Sequence, residues 1–357
     1  MSWIRIALVF VGSMIGAGFA SGKEAWQFFG VFGAGGLLGI AVSVAVYAFL
    51  GYINTYIARR LESADIGRII SPWPDRTAQV IVGTVMCGFL LVAYVAMLAA
   101  GGALAQSSFG LPSQAGSFIY MLLAVFTAIG GFETVASRVG RIAPALVAAT
   151  LVMGVYIISQ DGTLIGSGLR IPASRFASHW MFAAVAYVGY NMTAAVPVLG
   201  QCALRARSFK EARRGVFLAS FVLGLCSLIL YYVTCTDPEL SALQELPMLA
   251  FVERYFPALG SGYALFLLAA IFSAAATCFY GFTTKLGPAA HRKKIIWAVG
   301  IAGYGFSLYG FSNFVANVYP LVGAVSLLFF GLEIVHYFRL LRSGSPGSGP
   351  GHIFLDK

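Results

Sequence analysis

Apolar runs of membrane-spanning length follow one another from residue 3 to residue 341, and this recurrence restricts the chain to one kind of fold. Inside a bilayer every backbone N–H and C=O must be satisfied within the segment, so a helix of about 20 mostly apolar residues is needed to cross roughly 30 Å of hydrocarbon. The runs cover 3–31, 33–58, 77–106, 113–131, 138–159, 177–203, 210–235, 258–284, 293–310 and 313–341. They predict ten transmembrane helices and an all-α integral membrane protein. Hydrophobic residues make up 59% of the 357 positions and charged ones 10%, against about 25% charged in an ordinary soluble domain. No room is left for a sizeable soluble domain. Several runs exceed 25 residues, which at a rise of about 1.5 Å per residue implies tilt or a break. Arg5 followed by an apolar stretch ending near Ala17 to Ser21 also has the outline of a secretory signal. No hydrophilic domain follows it, so the stretch is read as a first span.

A net charge of +10 would suit nucleic acid, but the basic residues lie in short clusters between the runs. Cytoplasmic connectors of membrane proteins carry the excess of Lys and Arg. With the N-terminus inside, 19 of the 23 basic residues fall on the cytoplasmic side, and only Lys23, Arg170, Arg175 and Arg254 fall outside. Trp3, Trp26, Trp180 and Trp297 sit near span ends, as in an interfacial aromatic belt. The expectation is a multi-pass protein of the inner (plasma) membrane with both termini cytoplasmic, in contact with lipid and not with nucleic acid. Cys87, Cys202, Cys226, Cys235 and Cys278 lie within or at the ends of apolar runs, with no CxxC pair and no His at ligand spacing. They read as packing residues in a reduced setting, and no metal site is expected.

Apart from 160–176, which would join two halves, the two longest connectors are 59–76 and 237–253. They occupy equivalent places in the halves, one inside and one outside. Inverted-repeat transporters have that layout; a chance agreement of loop lengths is the alternative. The division predicted is a single transmembrane domain, 1–342, with repeats at about 3–160 and 177–342. The Gly/Ser/Pro-rich segment 343–357 is expected to be a disordered cytoplasmic tail.

The first span reads VFVGSMIGAGFASGKEAWQFFG. Gly12, Gly16, Gly18 and Gly22 inside it make a poor continuous helix. If it unwinds near Gly16 to Gly18, the freed N–H groups can meet a carboxylate and the freed carbonyls a cation or ammonium group. The other reading is close helix packing, since Gly12/Gly16 and Gly18/Gly22 are both GxxxG pairs. The sixth span, FAAVAYVGYNMTAAVPVLG, places Gly189 beside Tyr190 and Asn191 with Pro197 beyond, and a second break is predicted there. Lys23 and Glu24 form an acid–base pair well inside an apolar run, so Glu24 is a candidate to gate, bind or titrate; a solvated outer pair is the alternative. Glu133, Arg138 and Arg141 read as cytoplasmic anchors, and Glu333 in the last span is expected to pair with His336 or a nearby Arg.

Ile15-Gly16-Ala17-Gly18-Phe19 resembles the unwound-helix motif of the amino acid/polyamine/organocation superfamily, and Tyr187-Val188-Gly189-Tyr190-Asn191 resembles its counterpart in span 6. The longer string GSMIGAGFASGKEAWQFF is similar to the YkvI-type membrane proteins, a branch described as amino acid permeases. The resemblance implies a LeuT-like five-plus-five fold with helices 1 and 6 broken, and a solute held between spans 1, 3, 6 and 8. It implies that the amides of Gly16, Ala17 and Gly18, with Phe19 in the same motif, meet a solute carboxylate. Carbonyls around Tyr187 and Gly189 would meet an amino group, with Tyr190 as aromatic gate, Asn191 beside it and Tyr94 of span 3 as hydroxyl partner. It further implies a sodium site at Gly12, Ile15, Ala270 and Ser273. Relatives often carry two adjacent hydroxyls on span 8 where this chain has Ser273-Ala274, so a proton at Lys23 and Glu24 is the competing coupling ion. Neither HExxH nor GxSxG nor a pair of membrane aspartates is present, and Gly33-Ala34-Gly35 falls between two spans with no strand before it. No catalytic residue or cofactor is therefore expected. The function implied is secondary active transport, by symport or exchange, of a small amino-acid-like solute; a transporter-fold solute sensor is the alternative.

Overall fold

The computed structural model describes residues 1–161, 179–244, 246–286, 291–311, 314 and 318–343. Arg170, Arg175 and the tail beyond Ser343 lie outside the described residues, so the expectations made for them stand as they were. Among the described residues every regular element is helical. The first run forms three short pieces, α1 (Trp3–Met14), α2 (Ala17–Ala20) and α3 (Lys23–Phe28). Then come α4 (Ala34–Arg60), the short α5 (Ile66–Ile70), α6 (Arg76–Phe109), α7 (Ser113–Ile129) and α8 (Gly131–Asp161). After the connector follow α9 (Trp180–Arg205), α10 (Phe209–Thr236), the short α11 (Pro238–Leu243) and α12 (Pro247–Tyr255), α13 (Gly260–Thr283), α14 (Arg292–Ser307) and α15 (Tyr319–Ser343).

Among the described residues each apolar run falls largely on helix, and the two long connectors carry α5 and the α11–α12 pair. Among the described residues seven helices, α4, α6, α8, α9, α10, α13 and α15, are long and apolar enough to cross a membrane, and α1 and α7 are shorter apolar helices. Large apolar side chains point outward from this bundle: Val152, Phe221, Phe306 and Leu328 are 66, 65, 71 and 70% exposed. Such a surface fits hydrocarbon rather than water.

The centre of the bundle is built on α1 and α9. Of the most apolar stretch of α9, 78% is buried, against 28% for α8 and for α15. α9 lies between α4 and α15, while α1 packs on α8, α9 and α10, and α13 packs on α6 and α7. Among the described residues the ion pairs lie at the ends. At one end Glu133 bridges Arg5 and Arg205, each at 3.1 Å, and Asp65 pairs with Lys285 at 2.7 Å. At the other, Asp237 pairs with Arg254 at 2.9 Å. Arg138 donates to Thr127 and Arg141 to Ser137.

The break expected in the sixth span is absent: α9 is one continuous helix through Gly189, Asn191 and Pro197. Its potential breakers have other work. Asn191 Nδ2 donates to the Tyr187 carbonyl at 3.0 Å and Thr193 Oγ1 to the Gly189 carbonyl at 3.0 Å, so side chains add to the ladder rather than interrupt it. Gly189 faces α15, where a Cβ would lie 3.1 Å from the Gly323 carbonyl oxygen; in return, a Cβ on Gly323 would lie 2.9 Å from the Ala186 oxygen. This is a close helix crossing of small residues. Pro197 lacks the N–H that would bond the residue-193 carbonyl, a loss that buried membrane helices tolerate.

Candidate functional site

The interruption of the first span lies at Ile15 and Gly16. Ile15 leaves helical geometry at φ −76°, ψ 94°, and Gly16 is extended at φ −111°, ψ −167°. One helical turn follows, and a second interruption comes at Gly22, whose φ of +77° is in the left-handed region that favours glycine. Gly18, expected in the break, lies within the turn α2. Gly16, Ala17, Gly18 and Phe19 are all buried, so this irregular backbone sits inside protein, where the bilayer rule permits it.

The glycines do not form one packing stripe. A Cβ on Gly12 would press on Val139 of α8, one on Gly16 on Ala274 of α13 and Met97 of α6, and one on Gly18 on the carboxyl of Glu24. Each faces a different neighbour, which removes the GxxxG reading of a single helix face.

Outer contacts hold α2 and α3 in place. Tyr263 donates to the Ala20 carbonyl at 2.8 Å, and the amide of Met248 at the start of α12 donates to Ser21 O at 2.8 Å. Lys23 Nζ donates to the carbonyls of Ser241, Ala242 and Gln244 at 3.1, 2.8 and 2.7 Å, capping α11 as a cation suits a helix C-terminus.

Glu24 diverges from its neighbour. It is 4% exposed, its Oε1 rests against Gly18, and Tyr190 turns its hydroxyl toward the carboxyl without meeting hydrogen-bond geometry. Among the described residues neither Glu24 Oε2 nor the Tyr190 hydroxyl has a hydrogen-bond partner. Tyr47, Tyr187 and Tyr319 also lie within electrostatic reach of this carboxyl. Their rings form one assembly: Tyr190 stacks on Phe28 at 5.8 Å and on Tyr319 at 5.2 Å, and Tyr187 meets Phe29 at 5.0 Å and Tyr47 at 6.1 Å, both edge-on.

Of the expected ion-site residues, Gly12 and Ser273 are brought together: Ser273 Oγ donates to the Gly12 carbonyl at 2.6 Å. Ile15 and Ala270 are fully buried beside them in sequence, and Ala274 rather than a second hydroxyl faces Gly16. Tyr94 is turned elsewhere. It stacks on Phe279 at 4.3 Å and lies against Gly303 of α14, and Met97, one turn on, takes the place beside Gly16. Tyr187 and Gly189 offer carbonyls that already accept from Asn191 and Thr193. Met97, Ala274, Tyr47, Phe28 and Tyr319 were not singled out in the sequence. Phe28, within the motif string, was within reach of it; Tyr47 and Tyr319 come from remote helices and carried no local signal.

Glu333 was expected to pair with His336 or an Arg. It is instead fully buried, accepting from Asn54 Nδ2 at 3.2 Å, while the His336 ring bonds the Ile69 carbonyl at 2.8 Å. Among the described residues no group of three or more His, Cys, Asp and Glu could hold a metal, and all five cysteines are buried and unpaired.

No family model matches the chain. It is 27% identical to the uncharacterized membrane protein YkvI of Bacillus subtilis, over 92% of this chain and 94% of that protein, and 25% identical to the uncharacterized protein YyaD of the same organism with the same coverage. Among solved structures it is similar to Mhp1, a nucleobase-cation-symport-1 family transporter with bromovinylhydantoin bound (TM-score 0.69, 13% identity, 95% of this chain and 78% of that one). It also resembles a Na+-coupled sialic acid symporter (0.62, 13%, 95% and 79%) and MhsT in complex with L-phenylalanine (0.59, 16%, 94% and 91%). These structural relatives are transporters rather than enzymes. The chain is thus similar along nearly its whole length to the YkvI-type membrane proteins, and it has the fold of the LeuT-like transporters.

Proposed function

We propose that this protein is a secondary active transporter, a symporter or exchanger, that moves a small amino-acid-like solute across the inner (plasma) membrane by alternating access. The observation that carries the reading is the buried interruption of the first span at Ile15 and Gly16, set against the aromatic assembly of Tyr187, Tyr190 and Tyr319. Interrupted backbone at that depth is tolerated only where protein buries it or it lines a cavity, and broken first spans form the solute site in inverted-repeat transporters. The solute would lie against Gly16, Ala17, Gly18 and Phe19, facing Tyr190, with Tyr187, Gly189 and Asn191 supporting it from α9. Since α9 is unbroken and Tyr94 is turned to Phe279, those residues would act through side chains and packing rather than freed carbonyls.

In this reading the chain has ten spans in a five-plus-five inverted repeat, 3–160 and 177–342, within one domain, 1–342, with both termini cytoplasmic. Support comes from the match of the runs to helix among the described residues and from the equivalent placing of α5 and α11–α12. Two coupling ions have candidate positions: sodium near Gly12, Ile15, Ala270 and Ser273, or a proton at Glu24, with Lys23 holding the outer gate. The single hydroxyl at Ser273, already donating to Gly12, favours the proton.

Uptake of labelled neutral amino acids and related solutes into proteoliposomes tests this. Accumulation should follow an imposed pH gradient and be indifferent to sodium. Ligand-induced thermal stabilisation without uptake across a broad panel would point instead to a sensor.

A further inference from the structure

The buried carboxyl at the interrupted helix constrains what kind of solute fits. Glu24 is 4% exposed and makes no ion pair among the described residues. Its Oε1 lies against Gly18, and among the described residues its Oε2 has no hydrogen-bond partner, nor has the Tyr190 hydroxyl that faces it. A carboxylate so placed is uncompensated inside a membrane protein, and a bound cation removes that cost. The walls suit such a cation: the rings of Phe28, Tyr190 and Tyr319 form a stacked column, with Tyr187 and Tyr47 edge-on beside it. Aromatic faces attract ammonium groups, more strongly when water is excluded. A solute carboxylate has the opposite prospect. Placed at Gly18 it would meet the Glu24 oxygens, and like charges repel more strongly where water is excluded.

We infer that the site takes its solute through an ammonium group and selects amines that lack a free carboxylate, with Glu24 as the counter-charge and Tyr187, Tyr190 and Tyr319 as the walls. The inference rests on reading the first-span interruption as the solute site. It also specifies the exchange: Glu24 holds either a proton or the ammonium, so an arriving amine releases one proton from the carboxyl to water, and the departing amine is replaced by one.

The groups around Glu24 leave it free for that role. On its own helix Lys23 is committed to the α11 carbonyls. From α4, α9 and α15 it is faced by the phenols already named. On α10, Tyr231 donates to the Gly33 carbonyl, and Asp237 at the start of α11 pairs with Arg254.

Purified full-length protein decides the matter by thermal shift and titration with matched pairs: phenethylamine with phenylalanine, tyramine with tyrosine, cadaverine with lysine. At least one amine should stabilise the protein while its carboxylated partner binds more than about 100-fold more weakly, on the scale expected for a buried charge left unpaired. Affinity for that amine should weaken as pH falls, by up to about tenfold per unit, because protons compete for one carboxyl. Glu24→Gln should lose amine binding by a similar factor. If that variant does not fold, Tyr190→Phe and the wild-type pH series carry the test, the former weakening the amine while retaining the pH slope. Tighter binding of the amino acid in every pair, no stabilisation by any amine, or undiminished binding by Glu24→Gln overturns the inference. Amino acid uptake in the proteoliposome assay with no amine binding would refute amine selection and leave transport standing. Amine binding without flux would do the reverse.

Discussion

Gly18→Ala isolates the contact on which the site depends. The three atoms nearest to a Cβ at Gly18 all belong to Glu24: Oε1, Cδ at 2.5 Å and Cγ at 2.6 Å. No backbone strain interferes, because Gly18 is not among the glycines with positive φ. The carboxyl must leave its place among closely packed rings, and overpacking of that kind costs about 1–3 kcal/mol. Ala also gains up to about 1 kcal/mol over Gly in helix propensity within α2, so the net loss lies between roughly 0 and 3 kcal/mol. Glu24→Ala removes all three colliding atoms. In that background Gly18→Ala should be neutral or stabilising by up to about 1 kcal/mol. The double-mutant cycle, measured by denaturant or SDS titration of purified protein, should therefore give a coupling of about 1–3 kcal/mol, since the propensity gain is common to both backgrounds. An equal cost of Gly18→Ala with and without Glu24 would show that the carboxyl does not rest on Gly18.

Two further substitutions probe the frame around the site. Gly22→Ala should destabilise by about 1–2 kcal/mol in the same titration, because φ is +77° there and the new methyl would lie 3.1 Å from Met248 and 3.2 Å from Thr234; an unchanged midpoint would refute the left-handed turn. Asn54→Ala removes the hydrogen bond that the buried Glu333 receives and should cost about 1–3 kcal/mol, whereas Glu333→Gln preserves an amide–amide pair and should be near neutral. If Asn54→Ala is silent, the two residues do not pair.

The helices were legible because hydrophobic length is a local signal that the bilayer enforces. So was the interruption at Gly16, where the glycines crowd closer together in the first span; their number alone decides nothing, since α4 and α6 each hold four and stay continuous. The sixth span misled for a physical reason. Gly189, Asn191 and Pro197 are breakers by propensity, but whether glycine breaks a helix or admits a neighbour depends on what faces it, here Gly323 of α15. An asparagine whose amide returns to a carbonyl one turn back supports the helix it was expected to open. The divergence of Lys23 and Glu24 depends on the left-handed turn at Gly22 and on α11, more than 200 residues away in the chain. Tyr47 and Tyr319 join the site through tertiary packing alone, which no local pattern encodes.

The central claim is that solute crosses the membrane by way of the interrupted first span. Uptake of labelled solute by proteoliposomes, with wild type and Gly18→Leu compared at equal reconstitution, tests it most directly. The account predicts gradient-driven accumulation by wild type and background uptake by Gly18→Leu, whose side chain would fill the ground between Gly18 and Glu24. Background uptake by wild type, or full uptake by Gly18→Leu, would contradict it.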